Sequence, residues 1–234
     1  MRVRLNPPSR RGPRTLVVAF VAGLGAALIP AVPAAAQEAQ SSTTAGPAGH
    51  AFTASLAAGS TAGFTIGAVS VTCDTSSTSG AVPEEPANTN PAGSVTGPIT
   101  APEFANAGED NCPTNVIFTT ATSTTSGDWT ISLQFQPTGS TGTLTIPQGG
   151  LVAEISGLAS CTITAAPAGA AGVAGAWADG VDGAPPTLTF ADVAVPVTVT
   201  GGFGCPTAAT EALFNATYEV VDTTDPTQSI TVTA

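Results

Sequence analysis

The chain has 234 residues and a formal net charge of −11, and its two charge signs are separated along the sequence. All five Arg and Lys residues lie within residues 1–14, whereas all sixteen Asp and Glu residues follow Gln37. Because binding to nucleic acid or to anionic lipid headgroups depends on Lys and Arg, neither is an expected partner of the chain beyond residue 14.

The N-terminal segment predicts a secretory signal peptide over residues 1–36. An Arg-rich start precedes the apolar run Thr15–Ile29, and the small residues Ala34–Ala36 follow. The run is shorter than the roughly 20 residues that a membrane-spanning helix needs, so cleavage is favoured over anchoring. The pair Arg10-Arg11 leaves the twin-arginine export route open beside the general secretory route. A secreted protein, extracellular or loosely associated with the cell wall and with no membrane contact after cleavage, is predicted.

The rest of the chain predicts a flexible leader followed by β-structure. Residues 37–49 are rich in Ser, Thr, Ala and Gly and lack hydrophobic periodicity, which indicates the leader. Over residues 50–234, runs rich in Thr, Val, Ile and Phe alternate with clusters of Gly, Pro, Asn and Ser, as strands and turns do.

Three segments alternate strictly between apolar and polar residues. They are Trp129–Phe135, Val193–Val199 and Ala212–Val220, and each predicts a strand with one buried face. Pro196 lacks a backbone N–H, so it predicts an edge strand or a bulge. Residues 165–178 are rich in Ala but are interrupted by Gly and Pro, so no helix is expected there. Weaker runs predict further strands at Phe52–Ala57, Gly63–Cys73, Asn115–Ser123, Gly142–Ile146, Leu151–Thr164, Pro186–Ala191 and Ser229–Thr233.

Strands at this spacing predict an all-β fold, an antiparallel sandwich of the immunoglobulin-like kind. Residues 50–234 could form one large sandwich or two small ones. Pro137–Gly142 is the seam between them if there are two.

Four cysteines in a chain with a signal peptide predict two disulfides. Three pairings are open, and we favour Cys73–Cys112 with Cys161–Cys205. Each pair closes a loop of roughly 40 residues, which would stabilise the fold by about 4 kcal/mol. The tripeptide Cys-Pro-Thr occurs at both Cys112 and Cys205 ahead of a predicted strand, which suggests two pseudo-repeated halves.

Several of these features resemble uncharacterised Ala- and Thr-rich secreted proteins of high-GC Gram-positive bacteria. The shared features are a first strand ending in Cys73, the segment Cys112 to Trp129, the strand Val195–Thr198, the motif Gly201–Pro206 and a strand containing Tyr218. The resemblance implies a secreted protein with an immunoglobulin-like fold, and it implies no active site.

The sequence carries few residues suited to catalysis. His50 is the only histidine, and at the edge of the leader it is expected to lack the positioned partner of a catalytic triad. Because the chain beyond residue 14 has no Lys or Arg, neither a Schiff base nor a cationic oxyanion site is expected there. Glu154 and Asp192 could serve as the carboxylate pair of a glycosidase if one cleft brings them together. We predict that the protein is not an enzyme and needs no cofactor.

Calcium is the one ligand that the acidic residues suggest. Asp179 with Asp182, and Asp222 with Asp225, put two carboxylates on tight turns, as oxygen-ligand sites for calcium do. The alternative is that these residues are ordinary solvated turn residues.

The predicted function is that of a non-enzymatic structural or adhesive protein outside the cell. Its partner would be a neutral cell-wall surface or a basic protein surface. One alternative is a carrier of a small apolar ligand, similar in class to the apoproteins of enediyne antibiotics. A less favoured alternative is a hydrolase that uses two carboxylates.

Overall fold

All regular secondary structure in residues 41–234 is β-strand in the computed structural model, which describes these residues. The predicted signal peptide and the first residues of the predicted leader lie outside this range. No helix capable of crossing a membrane occurs within residues 41–234. The predicted all-β character and the antiparallel pairing are confirmed.

The described chain contains eighteen strands. They are β1 Thr43–Gly46, β2 Ala51–Leu56, β3 Ala62–Ile66, β4 Val69–Cys73, β5 Thr75–Ala81, β6 Thr89–Asn90, β7 Val95–Ile99, β8 Glu103–Ala105, β9 Cys112–Pro113, β10 Thr119–Thr125, β11 Trp129–Gln134, β12 Thr141–Ile146, β13 Leu151–Gly157, β14 Cys161–Ala165, β15 Ala171–Ala178, β16 Thr187–Gly201, β17 Glu211–Asp222 and β18 Thr231–Thr233.

One set of strands closes on itself as an eight-stranded barrel, which we call ring one. Its pairing order is β2, β5, β7, β11, β12, β15, β16 and β17, and β17 pairs back with β2. The closure between β5 and β7 rests on the single register pair Gly80 and Ile99. The predicted immunoglobulin-like sandwich of two open sheets is therefore not confirmed.

A second set closes beside it and shares its two longest strands. This ring two follows the order β4, β3, β17, β16, β14, β13, β10 and β9. Ring two closes between β9 and β4. A β-bridge pairs Val71 of β4 with Thr114, the residue after β9, and the Cys73–Cys112 disulfide links the same two strands. β16 serves both rings because its first residues pair with β15 and its last residues pair with β14.

Pro196 lies in β16, one of the two strands that both rings share. This strand has partners on both sides rather than a free edge, so the edge-strand expectation is wrong. A bulge does interrupt the same strand, but it lies between Phe190 and Val193, and Pro196 itself pairs in regular register with Glu211.

The possible seam at residues 137–142 does not divide the structure. Each ring takes strands from before and after residue 142, and residues 38–234 cluster as one unit, so no seam lies at residues 137–142. The two Cys-Pro-Thr segments occupy different settings: Cys112 lies in β9, whereas Cys205 lies in the turn after β16. The disulfide pairing itself is as favoured, Cys73–Cys112 and Cys161–Cys205.

The described part of the leader is a strand rather than a flexible segment. β1 pairs with β18 on one side and with β6 on the other. Thr43 is fully buried, and its hydroxyl accepts hydrogen bonds from the Gln134 side chain and from the Phe135 N–H, at 2.9 and 3.0 Å. Backbone pairing and one buried hydroxyl thus order a segment that has no apolar periodicity.

The interior is built from the inward-facing alternate residues of both rings. Trp129 and Leu133 are buried as predicted, but Ile131 is only partly buried and Gln134, which was expected on the polar face, is buried. The predicted alternation of β11 therefore holds only in part.

An aromatic cluster lies where the rings share β17: Phe214 stacks on Phe64 with ring centroids 4.8 Å apart and lies 5.2 Å from Phe190. These contacts make the cores of the two rings continuous.

Candidate functional site

The only histidine does have a positioned partner, contrary to the expectation from sequence. His50 precedes β2, Asp222 ends β17, and the pairing of these strands brings the two residues together. The His50 ring donates its Nδ1–H to Asp222 Oδ2 at 2.7 Å. Asp222 Oδ1 accepts the backbone N–H groups of Thr224 and Asp225 at 2.8 and 2.9 Å.

These contacts determine the protonation state of Asp222. Burial alone would raise the pKa of its carboxyl, but the hydrogen bonds from Asp225, His50 and Thr224 outweigh burial and hold the pKa below its ordinary value. The side chain has no exposed surface, so it is a buried carboxylate satisfied by three donors. We call His50, Asp222 and Thr224 the polar latch, since the Thr224 hydroxyl also accepts the N–H of Ala51.

The polar latch lacks the third member of a catalytic triad. A triad needs a nucleophile within hydrogen-bond reach of the second ring nitrogen of the histidine. Within the described residues, His50 makes one side-chain hydrogen bond, to Asp222, and all four cysteines are in disulfides. The arrangement joins the start of β2 to the end of β17.

The four aspartates proposed for calcium do not come together as a site. Asp179 accepts the Trp177 Nε1–H at 2.8 Å and the Val232 N–H at 3.0 Å, so it ties β15 to β18. Asp182 is exposed on a turn. Asp225 accepts the backbone N–H and hydroxyl of Thr227 and the side-chain amide of Gln228, which lower its pKa to about 2.

Three of these carboxylates are thus occupied by N–H and O–H donors, as in ordinary turns. In the part of the chain that the structure describes, no group of three or more His, Cys, Asp or Glu side chains is placed to hold a metal ion. The calcium hypothesis for Asp179, Asp182, Asp222 and Asp225 is not supported by their geometry.

The proposed hydrolase carboxylates are also far apart. Glu154 lies on the outer face of β13, and the register from β13 through β14 places it level with Thr200 of β16. The stretch from Thr200 back to Asp192 spans about 25 Å at strand spacing, whereas glycosidase carboxylates lie about 5–10 Å apart. Asp192 accepts the Asn215 side-chain amide at 2.9 Å within the bulge of β16. No shared cleft joins the two acids.

Two apolar cavities lie inside the rings, each with about 50 Å³ of free space. The first is lined by Phe64, Phe104 and Phe214 among aliphatic residues, and the second by Phe52, Phe190 and Tyr218. A cavity that admits benzene has a volume of about 150 Å³, so these voids are packing gaps rather than ligand sites.

One polar pair lies inside ring one. The Tyr218 hydroxyl lies 2.8 Å from the Ser76 hydroxyl, and both side chains are buried. Burial raises the pKa of Tyr218 to about 12, against a smaller lowering by the Ser76 hydrogen bond. Tyr218 is therefore a neutral core residue.

Four exposed apolar side chains lie at one end of ring two, where three loops are neighbours. Ile117, Phe118, Leu158 and Phe203 are 72%, 81%, 74% and 100% exposed. We call these four side chains the apolar tip. The loops are adjacent because Thr119 pairs with Gly157 and Cys161 pairs with Gly201.

Sequence reasoning missed this tip because it assigned Asn115–Ser123 to a strand. β10 begins only at Thr119, so Ile117 and Phe118 stand in the loop before it. One feature of the sequence could have indicated an exposed apolar residue. Phe203 stands between glycines in Gly201–Pro206 and belongs to no alternating apolar and polar run.

Comparison with protein-family models, with curated proteins and with solved structures gives no match to this chain.

Proposed function

We propose that the protein is an extracellular, non-enzymatic structural or adhesive protein. The observation that carries this proposal is the apolar tip, held at one end of a body whose interior is closed. Four large apolar side chains exposed together are unusual for a protein without a binding partner, because each loses favourable burial in water.

Its location outside the cell is supported by two features. Both disulfides lie within the fold, and disulfides of this kind form and persist in oxidising compartments. The signal peptide predicted over residues 1–36 and the resemblance to secreted proteins of high-GC Gram-positive bacteria agree with that location.

The absence of enzymatic activity is supported by where the titratable groups lie. Of the residues that line the two cavities, only Tyr218 carries a free titratable group, and it is neutral. The polar latch offers an acid and a base without a nucleophile. A carrier function is disfavoured, since each cavity is several-fold smaller than a pocket for a drug-sized ligand, about 300 Å³ or more.

The partner surface would be neutral or basic. The described chain contains no Lys or Arg, so anionic surfaces repel its acids. A neutral surface fits the tip best because Ile117, Phe118, Leu158 and Phe203 carry no charge.

Cell fractionation tests this proposal. The purified protein is added to washed cells of the producing organism, and bound and free fractions are compared by immunoblot. We expect the wild-type protein to remain with the cells and the variant Phe203→Ser to remain less, with Val181→Ser as the matched control on an exposed valine elsewhere. Recovery of all wild-type protein in the supernatant contradicts the adhesive role.

A further inference from the structure

We infer that the apolar tip inserts into the surface of a neutral lipid bilayer. This inference deepens the proposed adhesive function and rests on it, since it names the chemistry of the partner. It is argued from the exposure, the charge and the rigidity of the tip.

The four side chains of the tip are exposed separately. Ile117, Phe118, Leu158 and Phe203 stand on three separate loops, and each is at least 72% exposed, so little of any one of them is covered by the others. A stable protein interface needs about 1,000 Å² of complementary surface with a polar rim. Peripheral insertion needs only a few apolar side chains in the boundary between headgroups and acyl chains.

The charge of the tip selects the lipid. The loops 114–118, 158–160 and 202–205 contain no charged residue, whereas every charged residue in the described chain other than His50 is an acid. Insertion therefore buries no charge, but an anionic bilayer would repel the acidic body. The expectation of no membrane contact rested on the absence of Lys and Arg beyond residue 14, which disfavours binding to anionic headgroups but does not bear on zwitterionic ones.

The tip is also held rigidly. Phe118 has a φ of 57°, a conformation that costs energy for a large side chain, and its carbonyl oxygen lies against Gly157. A Cβ at residue 157 would collide with that oxygen, so glycine is required there. The Cys161–Cys205 disulfide fixes the loop that carries Phe203 to the start of β14.

The loops satisfy part of their own backbone, which reduces the cost of leaving water for the groups that are paired. The N–H of Thr119 donates to Val116 O, that of Leu158 to Phe118 O, and that of Cys205 to Gly202 O. The Thr119 hydroxyl donates to Val116 O at 2.8 Å as well. Unpaired backbone groups are what usually keep loops out of a bilayer.

Flotation with phosphatidylcholine vesicles tests the inference. The oxidised protein, residues 37–234, is floated with vesicles at low and high salt, beside vesicles that contain phosphatidylglycerol. We expect binding to phosphatidylcholine that salt does not weaken. The variant with Ile117→Ser, Phe118→Asn, Leu158→Ser and Phe203→Ser should bind roughly 100-fold more weakly, because it loses the insertable apolar area. Asn at residue 118 tolerates the positive φ.

The control is Val181→Ser, which removes a 71% exposed valine before the start of β16, at the end of that strand away from the tip. It should bind as the wild type does, and both variants should keep the wild-type unfolding midpoint. Equal flotation of the four-site variant and the wild type overturns the inference, as does binding that requires phosphatidylglycerol. Elution of the wild type as a dimer that the four-site variant makes monomeric, without flotation, also overturns it and assigns the tip to a second copy.

The vesicle and cell experiments separate the two proposals. Tip-dependent retention on washed cells without vesicle binding leaves the adhesive function standing and removes the lipid assignment. If the wild-type protein binds neither washed cells nor phosphatidylcholine vesicles, both the adhesive function and the lipid assignment are wrong.

Discussion

The two rings share β16 and β17, yet they are held together by different chemistry. Ring two contains both disulfides, Cys73–Cys112 and Cys161–Cys205, and it carries the apolar tip. Ring one contains no disulfide, and its first strand is joined to its last by the polar latch. Both disulfides thus lie in ring two, the ring whose loops expose apolar side chains to water. Exposure of those side chains is unfavourable, because the hydrophobic effect favours their burial.

Removing a disulfide from ring two should have the largest effect. The double variant Cys73→Ala with Cys112→Ala removes a cross-link between residues 39 positions apart in the sequence. The β-bridge between Val71 and Thr114 then remains to pair this part of the chain with β4. We expect the free energy of unfolding to fall by about 4 kcal/mol on the chain-entropy account. Urea denaturation followed by fluorescence measures this change.

The matched control for that variant is Cys161→Ala with Cys205→Ala, whose sequence separation of 44 predicts a similar loss. A loss below about 1 kcal/mol for either pair would contradict the idea that ring two depends on its cross-links.

Breaking the polar latch in ring one should have the next largest effect. Asp222→Asn weakens three hydrogen bonds to a buried carboxylate, so we expect a loss of about 2 kcal/mol at neutral pH. Its native pKa lies below the unfolded value, so this stabilisation is complete above the unfolded pKa and disappears as pH falls through the native pKa. Denaturation curves from neutral to acidic pH should therefore show the wild type and the variant converging. Asp182→Asn, an exposed acid, is the control, and parallel curves for Asp222→Asn and the wild type contradict the role of the polar latch.

A smaller effect is expected from the polar pair inside ring one. Tyr218→Phe removes the hydrogen bond to Ser76 and should cost about 1 kcal/mol. The Tyr218 pKa rises from 10.0 to about 12 on folding, so its contribution is complete below pH 10.0 and is lost as pH rises towards 12. The wild type should therefore lose stability over that alkaline range, and Tyr218→Phe should lose less. Identical alkaline profiles would show that Tyr218 ionises without unfolding.

The smallest effect on stability should come from the apolar tip. Phe203 is fully exposed, so Phe203→Ser should change the free energy of unfolding by less than about 0.5 kcal/mol. Thermal unfolding measures this, and a substantial loss would mean that the side chain contributes to folding rather than to binding. In that case the tip, like the disulfides, would contribute to the stability of ring two.

Local patterning in the sequence predicted much of the strand content. Alternation identified the strands around Trp129, Val195 and Phe214, and these three residues are buried. The favoured cysteine pairing also agrees with the structure, because each pair joins segments that adjacent strands bring together.

Strands without apolar alternation were missed. β5 reads Thr-Ser-Ser-Thr-Ser-Gly-Ala, and β15 alternates small residues with Val173 and Trp177. In β15, a Cβ at residue 175 would lie 2.7 Å from the Thr189 carbonyl oxygen and 3.0 Å from the Phe190 ring, so glycine permits the close approach of β16 at this position. Ring one closes only when β5 and β15 are in place. Because the sequence did not predict these two strands, it could not predict that the sheet closes.

The candidate sites were predicted less well, because they depend on contacts between distant residues. His50 and Asp222 meet only through the pairing of β2 with β17. The apolar tip joins three loops that the sequence places far apart, and only Phe203, which stands between glycines, carries a local signal of exposure. Of the four aspartates that were expected on tight turns, Asp182 lies in a turn, whereas Asp179 follows β15 and Asp222 ends β17. The hydrogen-bond donors to these carboxylates come from distant residues or from the local backbone, and the sequence did not reveal them.

The pairing of β1 with β18 makes one edge of the fold depend on both ends of the described chain. Thr44 lies opposite Thr233, a sequence separation of 233 − 44 = 189 residues, so this pairing carries a larger loop-closure cost than either disulfide. A chain that lacks β18 can pair β1 only with β6, which leaves the other edge of β1 without a partner strand. Proteolytic loss of the residues from Thr231 onward would therefore expose an open strand edge, a known starting point for pairing between copies of a chain.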